Sequence, residues 1–216
     1  MTTHTLCLSV ILIISSFNPF IIIQTLTRFP GMENINTRRF YEKAFMIILG
    51  VVVISSMILV KQMSNINITE VKWKMWAVIL IFLVPGIICL EIGIGFLRLK
   101  IKGYKIEGLD IKQDFKKRSI RELIIIIFIA IFEEFIYRKL YFIILIDFFK
   151  WNLVVVIIIT TIVYAFNHFF MGEGIFYQKI ASGLIFGIIF VLSGSIVIPI
   201  IAHVAQNIFV ILVGRK

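Results

Sequence analysis

Long apolar runs alternate with short, basic gaps from one end of the chain to the other. Runs of the length that crosses a bilayer, about 17–25 residues, recur at 5–27, 44–60, 75–97, 120–146, 153–171, 177–193 and 196–213. This alternation predicts an all-α fold, a polytopic membrane helix bundle of about seven transmembrane helices. Pro19 and Pro85 fall inside the first and third runs. There they can kink a helix without ending it, because neighbouring helices re-satisfy the freed backbone groups. Ser119-Ile120-Arg121-Glu122 opens the fourth run with the S-x-x-E pattern of a capping box, the best-marked start in the chain. Met1 to His4 lacks the basic n-region of a signal peptide, so the first run is expected to be a retained span.

Composition sharpens the picture. The chain is 60% hydrophobic and 16% charged, where a soluble domain is nearer half and a quarter, so little is left for a soluble domain. The net charge of +10 does not point to nucleic acid, because the basic residues lie in the gaps between runs. That placement is a signal of topology and of attraction to anionic lipid. Segments 28–43 and 98–121 are the richest in lysine and arginine, and with seven spans they share one side with Lys179, Arg215 and Lys216. That side is expected to be cytoplasmic, with the N-terminus outside and the C-terminus inside. Cys7 and Cys89 each sit in an apolar run and are expected to be small buried hydrophobes. No repeat or linker divides the chain. It reads as one membrane domain in two parts: residues 1–118 with N-terminal helices and a basic cytoplasmic loop, and residues 119–213 with every candidate for chemistry.

Those candidates are polar residues inside apolar runs. In Ile131-Phe132-Glu133-Glu134-Phe135-Ile136-Tyr137-Arg138 two carboxylates and a guanidinium are embedded where each ionisable group costs about 2.5–3.5 kcal/mol. On a helix Glu133 and Glu134 diverge by about 100°. Glu134 and Arg138 are four apart, acid first, the spacing of an ion pair. Glu133 is then the acid without a local counter-charge, the one suited to accept a proton. His168 lies among aromatic residues one turn after Tyr164, and His203 and Asn207 share a helix face four apart. Counting about 1.5 Å per residue from the cytoplasmic ends puts Glu133 roughly 20 Å deep, His168 5–9 Å and His203 about 15 Å, which allows them to meet. Glu91 is expected near headgroups or a loop lysine, Gly183 and Gly187 at a helix-packing face, and 172–174 in a loop.

A carboxylate base, two imidazoles and an amide are the groups that water-mediated amide hydrolysis needs. Glu133, His168 and His203 are equally a possible set for a divalent metal such as zinc, although no H-E-x-x-H is present. Intramembrane Glu and His also build proton relays, so a proton-coupled carrier stays open as a lesser alternative. So does a non-catalytic membrane binding or immunity protein.

Three motifs then carry a resemblance. Glu133-Glu134-Phe135-Ile136-Tyr137-Arg138 resembles an EExxxR motif. Tyr164-Ala165-Phe166-Asn167-His168 resembles an aromatic-xxx-His motif with tyrosine where phenylalanine is usual, and His203-Val204-Ala205-Gln206-Asn207 resembles an HxxxN motif. In this order they are similar to the CAAX-protease and bacteriocin-processing family of intramembrane proteases, related to the type II CAAX prenyl endopeptidases. The resemblance covers roughly 119–213. It implies a helical membrane fold with a polar intramembrane cavity open to the cytosol. It also implies Glu133 with His168 activating water, His203 with Asn207 stabilising the oxyanion, and Glu134 with Arg138 holding the site in shape. Whether a metal takes part stays open. The implied partners are the bilayer and a peptide or membrane-associated protein substrate in peptide maturation or bacteriocin immunity, at the cell membrane.

Overall fold

The computed structural model describes residue 7 and residues 37–59, 71–103 and 120–213, and among these every regular element is helical. The elements are α1 (Thr37–Leu59), α2 (Trp73–Ile101), α3 (Ile120–Glu134), α4 (Leu153–Asn167), α5 (Glu173–Ser193) and α6 (Val197–Val213). Six of the seven expected spans thus coincide with helices. The run 5–27 lies outside the described residues except for Cys7, as does Ser119 of the capping box. By length and apolarity α2 and α5 can each cross a bilayer, whereas the apolar stretches of α1, α4 and α6 are shorter.

α3 does not end at Glu134. The coil continues through two π-helical segments, Phe135–Leu140 and Ile143–Phe148, in which backbone N–H groups reach back five residues instead of four. α4 begins at Asn152, whose side chain accepts a hydrogen bond from the Val154 N–H at 2.9 Å, an N-cap. It stops at Asn167 and gives way to a short 3₁₀ turn at Phe169–Met171, so the expected run to 171 is not one α-helix. Gly172 (φ 122°) makes the corner into α5. Glu173 is already helical, so 172–174 is a one-residue turn and not a loop, and Arg98 of α2 and Lys102 just past its end pair with Glu173. Gly194 in the left-handed region closes α5.

Two apolar cores hold the bundle. One joins α1, the π segments and α4 around Leu49, Ile136, Tyr137, Leu140, Ile144 and Tyr164. The other joins α2, α5 and α6 around Trp76, Ile87, Phe186, Ile198 and Ala202. Gly183 and Gly187 let α5 approach α4 closely, as expected: a Cβ on Gly187 would stand 3.2 Å from Ile157. Hydroxyls of Ser56 and Thr160 bond carbonyls in their own helices, so these polar groups do not need water.

The outer faces are as apolar as the core. Ile47, Val51, Ile54 and Ile58 line the outside of α1, and Val78, Ile81 and Phe82 that of α2, all exposed. A soluble monomer rarely leaves so much aliphatic surface bare, and lipid is the solvent that suits it. Cys89 of α2 belongs to this exposed surface, and Cys7 is exposed too, so neither is buried as expected. A thiol on an apolar outer face needs no protein around it. Three charged residues are placed the opposite way, since Glu133, Glu134 and Arg138 are among the most buried side chains.

Candidate active site

Where α3 passes into its first π segment, the two neighbouring glutamates turn to different partners. Glu134 is shared. One carboxylate oxygen stands 3.2 Å from Arg138 Nε, an ion pair between successive turns, and the other lies 2.8 Å from His203 Nδ1 on α6. Arg138 in turn donates through Nη2 to the Gly183 carbonyl at 3.1 Å and lies over the rings of Tyr164 (4.7 Å) and Phe186 (5.5 Å). A buried guanidinium is tolerable only with such pairing and stacking. Phe186 also stacks on the His203 ring at 5.0 Å. Arg138 therefore ties three helices together at one level, and the Glu134–Arg138 pair read from spacing is present.

Glu133 faces the imidazoles. His168 Nε2 lies 3.7 Å from one of its oxygens and His203 Nε2 lies 3.8 Å from the other. Its Oε1 is buried and has no hydrogen-bond partner. His168 follows the last residue of α4, and its Nδ1 lies 2.9 Å from the carbonyl of Tyr164. A carbonyl only accepts, so Nδ1 carries the proton and Nε2, in the neutral ring, presents a lone pair to Glu133. The Tyr164 hydroxyl is 3.4 Å from His203 Nε2.

The five residues Glu133, Glu134, Arg138, His168 and His203 thus converge from three helices. Asn207 lies one turn beyond His203 and is partly exposed, and its side chain bonds none of the described residues. Sequence reasoning missed a second polar cluster. Glu91 of α2 is buried, 3.2 Å from Lys179 Nζ of α5, and it accepts from Gln206 Nε2 of α6 at 2.6 Å. The expectation of headgroups or a loop lysine is corrected, because the turns of α5 and α6 enclose Glu91 and Lys179 is itself helical. Gln206 sits inside the HxxxN stretch, yet its partner is 115 positions away in the chain, a separation no local spacing reveals. Asn167 donates to the Tyr137 hydroxyl beside the site, a further contact not foreseen.

Two ligands bound 2.0–2.1 Å from a tetrahedral zinc lie roughly 3.3 Å from each other. The separations of 3.7 and 3.8 Å around Glu133 are wider, and His203 directs its Nδ1 to Glu134. Among the described residues no three His, Cys, Asp or Glu side chains are disposed to hold a metal ion, so the donor set does not fit one in this arrangement. What the arrangement offers is a carboxylate and an imidazole lone pair, close but not bonded to each other, two acceptors that one hydrogen-bond donor beside them can face.

Compared with protein families, residues 119–209 match the model described as type II CAAX prenyl endopeptidase Rce1-like. No curated protein and no solved structure matches the chain.

Proposed function

We propose, for a chain whose residues 119–209 belong to the type II CAAX prenyl endopeptidase Rce1-like family, that it is an intramembrane endopeptidase using water activated by Glu133 and His168. That family is one of CAAX-type membrane proteases, so a protease is the activity it implies. The observation that carries the mechanism is the facing of Glu133 and His168 Nε2 at 3.7 Å, both buried or nearly so and neither satisfied by the other. A water placed there gives its protons to two acceptors and keeps a lone pair for the peptide carbonyl.

In this reading the water attacks, Glu133 takes its proton, and the tetrahedral intermediate carries an oxyanion. The Asn207 amide stabilises that oxyanion; it is partly exposed, and its side chain bonds none of the described residues. His203 directs its Nδ1 proton to Glu134 and, in the neutral ring, has no second N–H for the oxyanion. Glu133 then returns the proton to the leaving amine. Glu134 and Arg138 touch no reacting atom and hold His203 in place. Residues 119–213 form the catalytic core, with a polar cavity open to the cytosol. Residues 1–118 add lipid-facing helices and a basic cytoplasmic segment, within seven spans that run from an outside N-terminus to a cytoplasmic C-terminus. The substrate is a peptide or a membrane-associated protein, in peptide maturation or bacteriocin self-immunity.

The test is cleavage of candidate peptides by purified protein in lipid, wild type beside Glu133→Ala and His168→Ala. Turnover that persists in either variant sinks the mechanism. Uncleaved peptide accumulating in cells that carry Glu133→Ala, identified by mass spectrometry, would name the substrate.

A further inference from the structure

One residue touches both imidazoles, and it does so differently. The carbonyl of Tyr164 takes the Nδ1 proton of His168 at 2.9 Å, while its hydroxyl, at the far end of the side chain, lies 3.4 Å from His203 Nε2. The ring between these two contacts is fixed on every side. It is fully buried, Arg138 lies over it at 4.7 Å, and Gly183 packs so closely that an added Cβ would come within 2.8 Å of Tyr164 Cδ1. A phenol held this rigidly cannot swing away from His203.

The protons decide what the contact does. His203 Nδ1 faces the Glu134 carboxylate at 2.8 Å and donates to it. In the neutral ring the single remaining lone pair is on Nε2. The Tyr164 hydroxyl is a donor within reach of it, whereas Glu133, at 3.8 Å, only accepts when ionised. Among the described residues His168 has no such neighbour at Nε2, where its nearest charged group is the Glu133 carboxylate.

We propose that Tyr164 is a positioning residue that makes the two histidines unequal: its hydroxyl closes the His203 Nε2 lone pair, and its carbonyl turns the open lone pair of His168 toward Glu133. Water is then held by Glu133 and His168 and is not drawn off toward His203. The inference rests on the hydrolytic reading above, which names His168 as the partner of Glu133 but gives no reason why His203, at almost the same distance, is not. No bond is made or broken at Tyr164.

Tyr164→Phe removes only the hydroxyl and keeps the ring that Arg138 and Gly183 pack against, so the fold survives. The variant should cleave peptide with kcat lowered about tenfold and KM unchanged, the loss of one neutral hydrogen bond acting after substrate binds. The chain has three histidines, so ¹⁵N spectra of the imidazoles in nanodiscs can follow each ring. The unprotonated-nitrogen resonance of His203 should move toward that of a free imidazole in Tyr164→Phe, and that of His168 should stay. Unchanged His203 resonances overturn the proposal. So does a moved resonance with unchanged kcat, or a raised KM with kcat intact. If the wild type cleaves nothing, the hydrolytic reading falls, and the spectra alone decide whether the hydroxyl closes His203.

Discussion

Lys179 of α5 stands 3.2 Å from Glu91 of α2 within the bundle, and Gln206 of α6 binds the other oxygen of the same carboxylate. Three helices that share little sequence pattern are thereby joined by one charge pair. Breaking a buried pair from one side leaves the other charge stranded, which costs about 3–5 kcal/mol. Glu91→Gln and Lys179→Met should each lower the free energy of unfolding in detergent by that order. The double variant, which strands nothing, should recover most of the loss.

Glu133 and Glu134 are neighbours in sequence and should fail differently. Glu133→Gln keeps the shape of a side chain whose Oε1 bonds nothing. Its thermal stability should stay near that of the wild type, while peptidase turnover falls about 10³-fold, the scale of a general base. Glu134→Gln loses the charge that faces Arg138 and should lower both. Parallel unfolding and turnover measurements separate the two.

Arg138 cannot be exchanged for lysine. Its guanidinium meets Glu134 through Nε and the Gly183 carbonyl through Nη2, and it stacks over two rings. A lysine ammonium keeps the charge but not the planar fork or the stacking. Arg138→Lys should therefore be destabilised by about 2–3 kcal/mol, read from denaturation in detergent.

Two glycines make a matched pair. At Gly183 a Cβ would meet Tyr164 at 2.8 Å with Thr161 behind it, whereas at Gly86 nothing lies within 4 Å. Gly183→Ala should cost about 1–3 kcal/mol by overpacking and lower turnover by displacing Tyr164. Gly86→Ala should be neutral, or stabilising by up to about 1 kcal/mol through helix propensity.

The contrast between what apolar runs reveal and what they conceal follows from range. Run length alone marks the positions of α1 to α6, since a bilayer demands long uninterrupted helices. Glu133, Glu134 and Arg138 stand out because an ionisable group in such a run is costly, and the i,i+4 rule pairs two of them correctly. Tyr164 is visible only as an aromatic residue, because its hydroxyl acquires a meaning when α6 brings His203 beside it. Glu91, Lys179 and Gln206 were illegible for the same reason. Their partners lie 88 and 115 positions apart, and helical periodicity carries no information at that distance. The π turns after Glu134 are likewise invisible to a pattern that assumes α geometry throughout.

Those π turns give the coil a tolerance to chain length that a regular helix lacks. In Phe135–Leu140 the hydrogen bonds span one residue more than in an α-helix, so the coil there carries surplus chain. Deleting one residue from an unbroken α-helix turns everything beyond it by about 100°. Deleting one within the π segment removes the surplus instead, and the coil beyond keeps nearly the phase it has now relative to Glu133. The helix thus holds one residue in reserve, in the one stretch that carries Arg138.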